Sequence, residues 1–248
     1  MKVVEHRNEQ FEYIAQQKAK YAATGNPILS MDTKKKEYLG NFYRDGRLYT
    51  QEEVRTYDHD FNSFAQGLIV PHGIYDLKQN VGYLNLGTSR DTSQFACDNL
   101  RRWWFEHGQY DYPEATSILL LCDGGGSNGS RSYLFKADLQ QLANEIGIDI
   151  QVAHYPAYAS KYNPIEHRLF PHVSRACQGV IFKSIELVQE LMAKTSTRKG
   201  LTVFVKVIDC VYEKGRQVAK EFKENLPILF DDFLPKWNYR VVPNAEVI

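Results

Sequence analysis

The 248-residue chain has no excess of either charge: thirty Lys and Arg balance thirty Asp and Glu. Net charge therefore gives none of the basic bias of a general nucleic-acid binder, so any such argument has to be local. Cysteine is scarce. Cys97, Cys122, Cys177 and Cys210 are scattered with no C-x-x-C pair, which argues against a zinc ribbon or a disulfide framework and for reduced, mostly buried thiols. There is no apolar run long enough to span a bilayer, and the start, MKVVEHRNEQFEYIAQQ, has no hydrophobic signal region. A soluble, intracellular (cytoplasmic) protein is expected. Internal repeats and low-complexity tracts are also missing. What is present is a 43 % hydrophobic chain, enough for one substantial core.

Residues 9–22 have the pattern of a short amphipathic helix, stopped by Gly25-Asn26-Pro27. ILSMD (28–32) and EYLGNFYR (37–44) read as paired strands around a polar turn, with a long polar connection after them over about 45–70. VGYLNLG (81–87) is a third strand. Asp91-Thr92 then caps a helix carrying Ala96, Leu100, Trp103 and Trp104, which ends near Gly108. SILLLC (117–122) is the run expected of a strand buried on both faces, and it delivers Asp123 at its end. Phe135, Leu139, Leu142 and Ile146 mark a helix ended by Gly147, and Ile148, Ile150 and Val152 alternate as a fifth strand. Further helices are expected over about 163–175 and 184–194. This order predicts an α/β fold, a mixed five-stranded sheet with helices on both faces, in the order found in ribonuclease H-like proteins. Three segments are expected: an N-terminal helix (1–26), a main domain (27–200) and a C-terminal extension packed on it (201–248).

Three acids stand where acids are unusual. Asp32 ends a short apolar strand, and Asp123 ends the most hydrophobic one. If those strands are parallel neighbours, both carboxylates emerge at one sheet edge, where α/β proteins bind ligands. Asn163-Pro164 reads as an N-cap with proline at the first helical position, placing Glu166 in the first turn. Glu166, Leu169, Phe170 and Val173 share one helical face, so this acid looks inward. Each of the three also has an ordinary structural reading, as a turn residue, a loop cap or half of a capping box. Basic residues stand close behind each acid: Lys34 and Lys35 after Asp32, Arg131 and Lys136 after Asp123, and Lys161, Arg168, His172 and Arg175 around Glu166. They suit contacts to a DNA backbone, or simply a solvated surface. DGGGSNGSR (123–131) lacks the ending of a P-loop, Asp58-His59-Asp60 lies in the polar connection, and the spacing of His154, His167 and His172 does not suit zinc.

The segments ILSMDTKKKEYLGNF, LLLCDGGGSNGSR and SKYNPIEHRLF resemble those around the catalytic carboxylates of the DDE transposases of bacterial insertion sequences, specifically the Rhodopirellula-type branch. The similarity extends through VPHGIYDLKQNVGYLNLG, FACDNLRRWW, TSTRKGLTVFVKVIDCVYEKGRQV and KWNYRVVP, nearly the whole chain. It implies a ribonuclease H-like catalytic domain holding two divalent ions, usually Mg²⁺ (or Mn²⁺), on Asp32, Asp123 and Glu166. Water would be activated to cut at the transposon end, and the freed 3′-hydroxyl would attack target DNA. DNA partners and a homodimer on paired ends are implied as well. The chain departs from the family pattern before the third acid, with His154 to Ala159 in place of a Pro-Pro-Gly-like stretch, Tyr162 for Trp and Pro164 for a common Lys. The resemblance also places the start of this chain at the catalytic domain, without an upstream helix-turn-helix region. A nuclease or resolvase without strand transfer, and an inactive remnant that binds DNA or a partner, are the competing functions.

Overall fold

The structure, a computed structural model, describes residues 4–225 and 227–244, so the outermost residues of the expected terminal segments lie outside the described part. In chain order the elements are α1 (Arg7–Thr24), β1 (Ile28–Thr33), β2 (Glu37–Leu39), β3 (Gly67–Asp76), β4 (Val81–Gly87), α2 (Ser93–Trp103), α3 (Gln109–Asp111), β5 (Ser117–Cys122), α4 (Tyr133–Ile146), β6 (Asp149–His154), α5 (Pro164–Arg168), α6 (Phe170–Ala176), α7 (Ile185–Ala193), β7 (Thr202–Ile208), α8 (Lys220–Glu224), β8 (Ile228–Phe230) and β9 (Asn238–Val241). A π-helical turn, Trp104–Gly108, joins α2 to α3.

The strands form one sheet in the order β7-β4-β3-β1-β5-β6-β9-β8, with β2 added beside β3. Its centre is the five-stranded mixed unit β4-β3-β1-β5-β6, in which β1 runs antiparallel to β3 and parallel to β5. This is the ribonuclease H-like order. Residues beyond 200 extend the sheet at both edges, with β7 parallel to β4 and β9 antiparallel to β6.

Two strand readings are corrected. Segment 37–44 does not fold back on 28–32: β2 is only three residues long, and β1 and β2 both pair antiparallel with β3. The intervening Thr-Lys-Lys-Lys has none of the Gly, Asn or Pro that reverse a chain tightly, so it carries on along β3. The second central strand is β3, whose sequence GLIVPHGIYD is broken up by Pro71 and Gly73. Pro71 is tolerated because its carbonyl accepts from Lys34 N (2.9 Å), which puts its missing N–H on the same side, just past the paired end of β1.

β5 is buried along its whole length because both its faces are covered. Ile118, Leu120 and Cys122 join Leu29 and Met31 under α2 and α4. Leu119 and Leu121 pack with Ile14 and Tyr21 of α1, and the Tyr21 hydroxyl lies 2.6 Å from Ser117 Oγ. α1 ends at Gly25, which takes the left-handed conformation that glycine adopts without strain (φ 74°). Helices α5, α6 and α7 cover the part of the sheet made by β3, β4 and β7.

The expected helix over 163–175 is two helices. Pro171 has no N–H to bond back and its ring crowds the preceding turn, so the chain breaks at Leu169 (φ −119°, ψ −63°). The apolar face survives the break: Ile165, Leu169, Phe170 and Val173 are all buried. Their close approach depends on glycines below. A Cβ at Gly73, the register partner of Asp32, would lie 2.8 Å from both Ile165 Cδ1 and Phe170 Cε1. We expect Gly73→Ala to cost about 1–3 kcal/mol by overpacking, a drop of roughly 2–4 °C in melting temperature per kcal/mol. The same lift of α5 should weaken any activity that needs Glu166, and a variant as stable and as active as the parent would refute this account.

Candidate active site

β1 and β5 are adjacent and parallel, with Met31 opposite Cys122, so the next residues, Asp32 and Asp123, leave the sheet side by side. Alternation along each strand then decides where they point. Met31 and Cys122 face α2 and α4, whereas Ser30 and Leu121 face the opposite layer, and Asp32 and Asp123 continue on that side.

That layer brings in Glu166. Ser30, two residues before Asp32, accepts a hydrogen bond from Ile165 N (2.9 Å) and donates to Asn163 Oδ1. Asn163 occupies the N-cap position of α5, yet its side chain makes no bond to its own helix. It is fully buried against β1, and its Nδ2 also approaches Met31 O at 3.4 Å. Ser30 therefore serves one of the free N–H groups of the first turn, and the helix start that carries Glu166 is docked on the strand that carries Asp32.

The electrostatics reflect this meeting. Asp32 is pushed up to about 8, first by burial, then by the neighbouring Asp123 charge, and also by Glu166, which repels the ionised carboxylate and hydrogen-bonds the protonated one. The Thr33 N–H at 2.7 Å opposes this only in part. Burial raises Asp123 as well, with Glu166 and Asp91 adding repulsion against the stabilising Gly125 N–H. Among the described residues no three His, Cys, Asp or Glu side chains are gathered tightly enough to hold an ion. Asp123 and Glu166 nevertheless lie close enough to Asp32 to disfavour its ionised form. The donor set itself, hard carboxylate oxygens on three elements, suits a divalent cation such as Mg²⁺ or Mn²⁺.

The basic residues sort differently. Lys35, Arg131, Lys161 and Arg168 are exposed, and His172 is half-buried. Lys34 turns inward to an ion pair with Glu37, which also faces Arg44. Lys136 is buried, donates to Ser130 O and sits over the Tyr239 ring at 4.6 Å, so it braces the glycine loop instead of facing solvent. Burial lowers this ammonium to about 8. α1 adds Lys18, which lies near enough to Arg168 to be depressed by its charge after the effect of burial. Asp58, His59 and Asp60 form ordinary loop contacts, with Asp60 pairing to Lys35 and Arg44.

Two residues near the acids escaped the sequence reading. Asp91, read there with Thr92 as a helix cap, accepts instead from Thr33 Oγ1 (3.2 Å), while the Thr92 side chain caps α2. His154, dismissed as a zinc ligand, is fully buried with Nδ1 2.7 Å from Asp123 O. The available signal was positional: it ends the strand next to the one that delivers Asp123.

The five-strand order defines the class, a ribonuclease H-like protein, with Asp32 and Asp123 at the ends of its two central parallel strands. The chain belongs to the family described as Rhodopirellula transposase DDE domain, which matches residues 1–243. Among solved structures it is similar to the pre-cleavage Mos1 transpososome, at 16% identity and a TM-score of 0.50 over 77% of this chain and 55% of that chain. It is also similar to the Mos1 transposase paired-end complex with left transposon end (18% identity, TM-score 0.49, 77% and 54% covered). A third similar structure is the Mos1 mariner paired end complex with Mn (14% identity, TM-score 0.48, 77% and 54% covered). The chain thus spans about half the length of these solved chains. Comparison with curated proteins gives no match.

Proposed function

We propose that this domain cuts DNA at transposon ends and joins the freed 3′-hydroxyl to target DNA, using two divalent cations held by Asp32, Asp123 and Glu166. The observation that carries the reading is the delivery of Asp32 and Asp123 by the adjacent parallel strands β1 and β5 to one edge of a ribonuclease H-like sheet, with the start of α5, which bears Glu166, docked on β1 through Ser30. Bound divalent cations would supply charge stabilisation at the attacking and leaving oxygens of an in-line displacement.

The chain's own residues do the rest. Asp32 has to release a proton before it can act as a ligand, because burial and its acidic neighbours hold that proton near neutral pH. Ser30 and Asn163 fix the start of α5, so Glu166 approaches from a set direction. Exposed Lys35, Arg131, Lys161 and Arg168, with half-buried His172, would contact phosphates of a bound duplex. Lys34 is assigned instead to ordering the strand end through Glu37.

The test is a joining assay with a pre-cleaved terminal duplex, a target duplex and Mg²⁺ or Mn²⁺. Joined product that depends on the metal is expected. Nicking without joining would replace the proposal with a nuclease, and binding without any cleavage would replace it with a DNA-binding remnant.

A further inference from the structure

β6 ends at His154, and its imidazole lies fully buried between β5 and β9. Nδ1 is 2.7 Å from the main-chain oxygen of Asp123, and Nε2 is 3.3 Å from the Tyr239 hydroxyl. A carbonyl oxygen can only accept, so Nδ1 carries the proton. In the neutral ring Nε2 is then the acceptor, and the Tyr239 hydroxyl donates to it. The two partners together fix one tautomer and one ring orientation.

The residue is clamped by its main chain as well. His154 N donates to Trp237 O (3.0 Å), and His154 O accepts from Gln10 Nε2 (2.8 Å). Gln10 and Asn238 exchange two side-chain hydrogen bonds, at 2.8 and 2.7 Å, which ties α1 to β9 at this point. The target of all this is a single carbonyl. The β5–β6 ladder ends at the Cys122–His154 pair, with Tyr155 N donating to Cys122 O (2.8 Å), so Asp123 is the first residue past the strand. The His154 side chain provides the hydrogen bond that the strand no longer does.

We infer that His154 is a positioning residue: by holding the Asp123 main-chain carbonyl it sets the turn that aims the Asp123 carboxylate at the cation site. The inference rests on the proposed role of Asp123 as a ligand. A histidine kept only to fill the core would have no need of a fixed tautomer or of an acceptor on the residue that bears the acid. Partners hydrogen-bonded to the ligating group itself change metal affinity by about 10–100-fold when removed; His154 acts one step further back, through the main chain, so the low end of that range applies.

The experiment tracks Mn²⁺ binding by the full chain, from the dependence of melting temperature on Mn²⁺ concentration, in the parent and in H154F, H154L, H154N and D123N. H154F keeps a ring but loses the donor, and is expected to weaken binding by about ten-fold or more. H154N places an amide N–H where Nδ1 was and is expected to restore most of the affinity. Equal binding by H154F and the parent, with binding lost in D123N, overturns the inference alone. Equal weakening in H154F and H154N also overturns it, since packing would then be responsible. Binding that survives D123N overturns the ligand role and the inference with it. Should H154F fail to fold, H154L takes its place: it is apolar, smaller than the ring and has no donor, so binding weaker than in H154N supports the inference and binding equal to the parent overturns it.

Discussion

Asp123→Asn is expected to abolish strand joining, with a loss of about a thousand-fold or more. An amide matches the carboxylate in shape but carries no charge, so it forfeits the attraction that fixes a hard cation. Charge stabilisation by a bound cation is worth several kcal/mol in the transition state, and each 1.36 kcal/mol is a factor of ten in rate. Asp32→Asn and Glu166→Gln should fall as far, and pairs of these changes should cost little more than one, because groups that act as a unit are not additive. A second readout separates loss of a ligand from loss of fold. Removing either neighbouring charge should bring Asp32 down from about 8, since Asp123 and Glu166 both contribute to its elevation. A carboxyl-selective NMR titration of the metal-free variants checks this. Joining that persists in Asp123→Asn would remove the residue from the site, whatever happens to Asp32.

The elements that carry the three acids were legible in the sequence because each has its own local signature. SILLLC has the pattern of a strand buried on both faces, and the residue after its single cysteine, Cys122, then emerges at a sheet end. Asn163-Pro164 marks a helix start, and that start is where the structure has it. Local patterns could not give the docking of these elements on one another. The Ser30 hydroxyl that holds α5 looks like any small polar residue in a strand, and its role exists only through Ile165 and Asn163, more than 130 positions away. Central strand β3 was hidden because Pro71 and Gly73 are the residues that usually end strands; each is permitted there by a neighbour, the end of β1 for the proline and side chains of α5 and α6 for the glycine. The same holds for Lys34 and Lys136. As isolated cations they resemble phosphate contacts, but Glu37 and the Ser130 carbonyl with the Tyr239 ring draw them inward. His154 belongs with these, since its meaning depends on Asp123, the residue just past its β5 partner Cys122.

The metal-free protein is expected to lose stability as pH rises toward 8, and divalent cations should reverse the trend. Asp32 keeps its proton in the folded protein up to about pH 8, whereas an aspartate in the unfolded chain releases it near 3.8. Between those values the folded state binds more protons than the unfolded one, so ∂ΔG/∂pH is negative for this group. Its stabilising contribution is complete below about pH 4 and is lost as pH climbs through the folded value. A cation acts the other way. It binds the ionised carboxylate and competes with the proton, so its apparent affinity should climb by up to about ten-fold per pH unit below pH 8. Ligand that binds only the folded state raises the melting temperature in proportion to RT ln(1 + [L]/Kd). The gain on adding Mn²⁺ should therefore be clearly larger at pH 8 than at pH 6, at about 2–4 °C per kcal/mol for a chain of this size. Asp32→Asn, which has no proton to lose, should show the same small gain at both pH values and should also drop the metal-free decline attributable to this group. An Mn²⁺-induced shift of equal size at pH 6 and pH 8 in the parent chain would mean that the proton on Asp32 and the cation do not compete for one place.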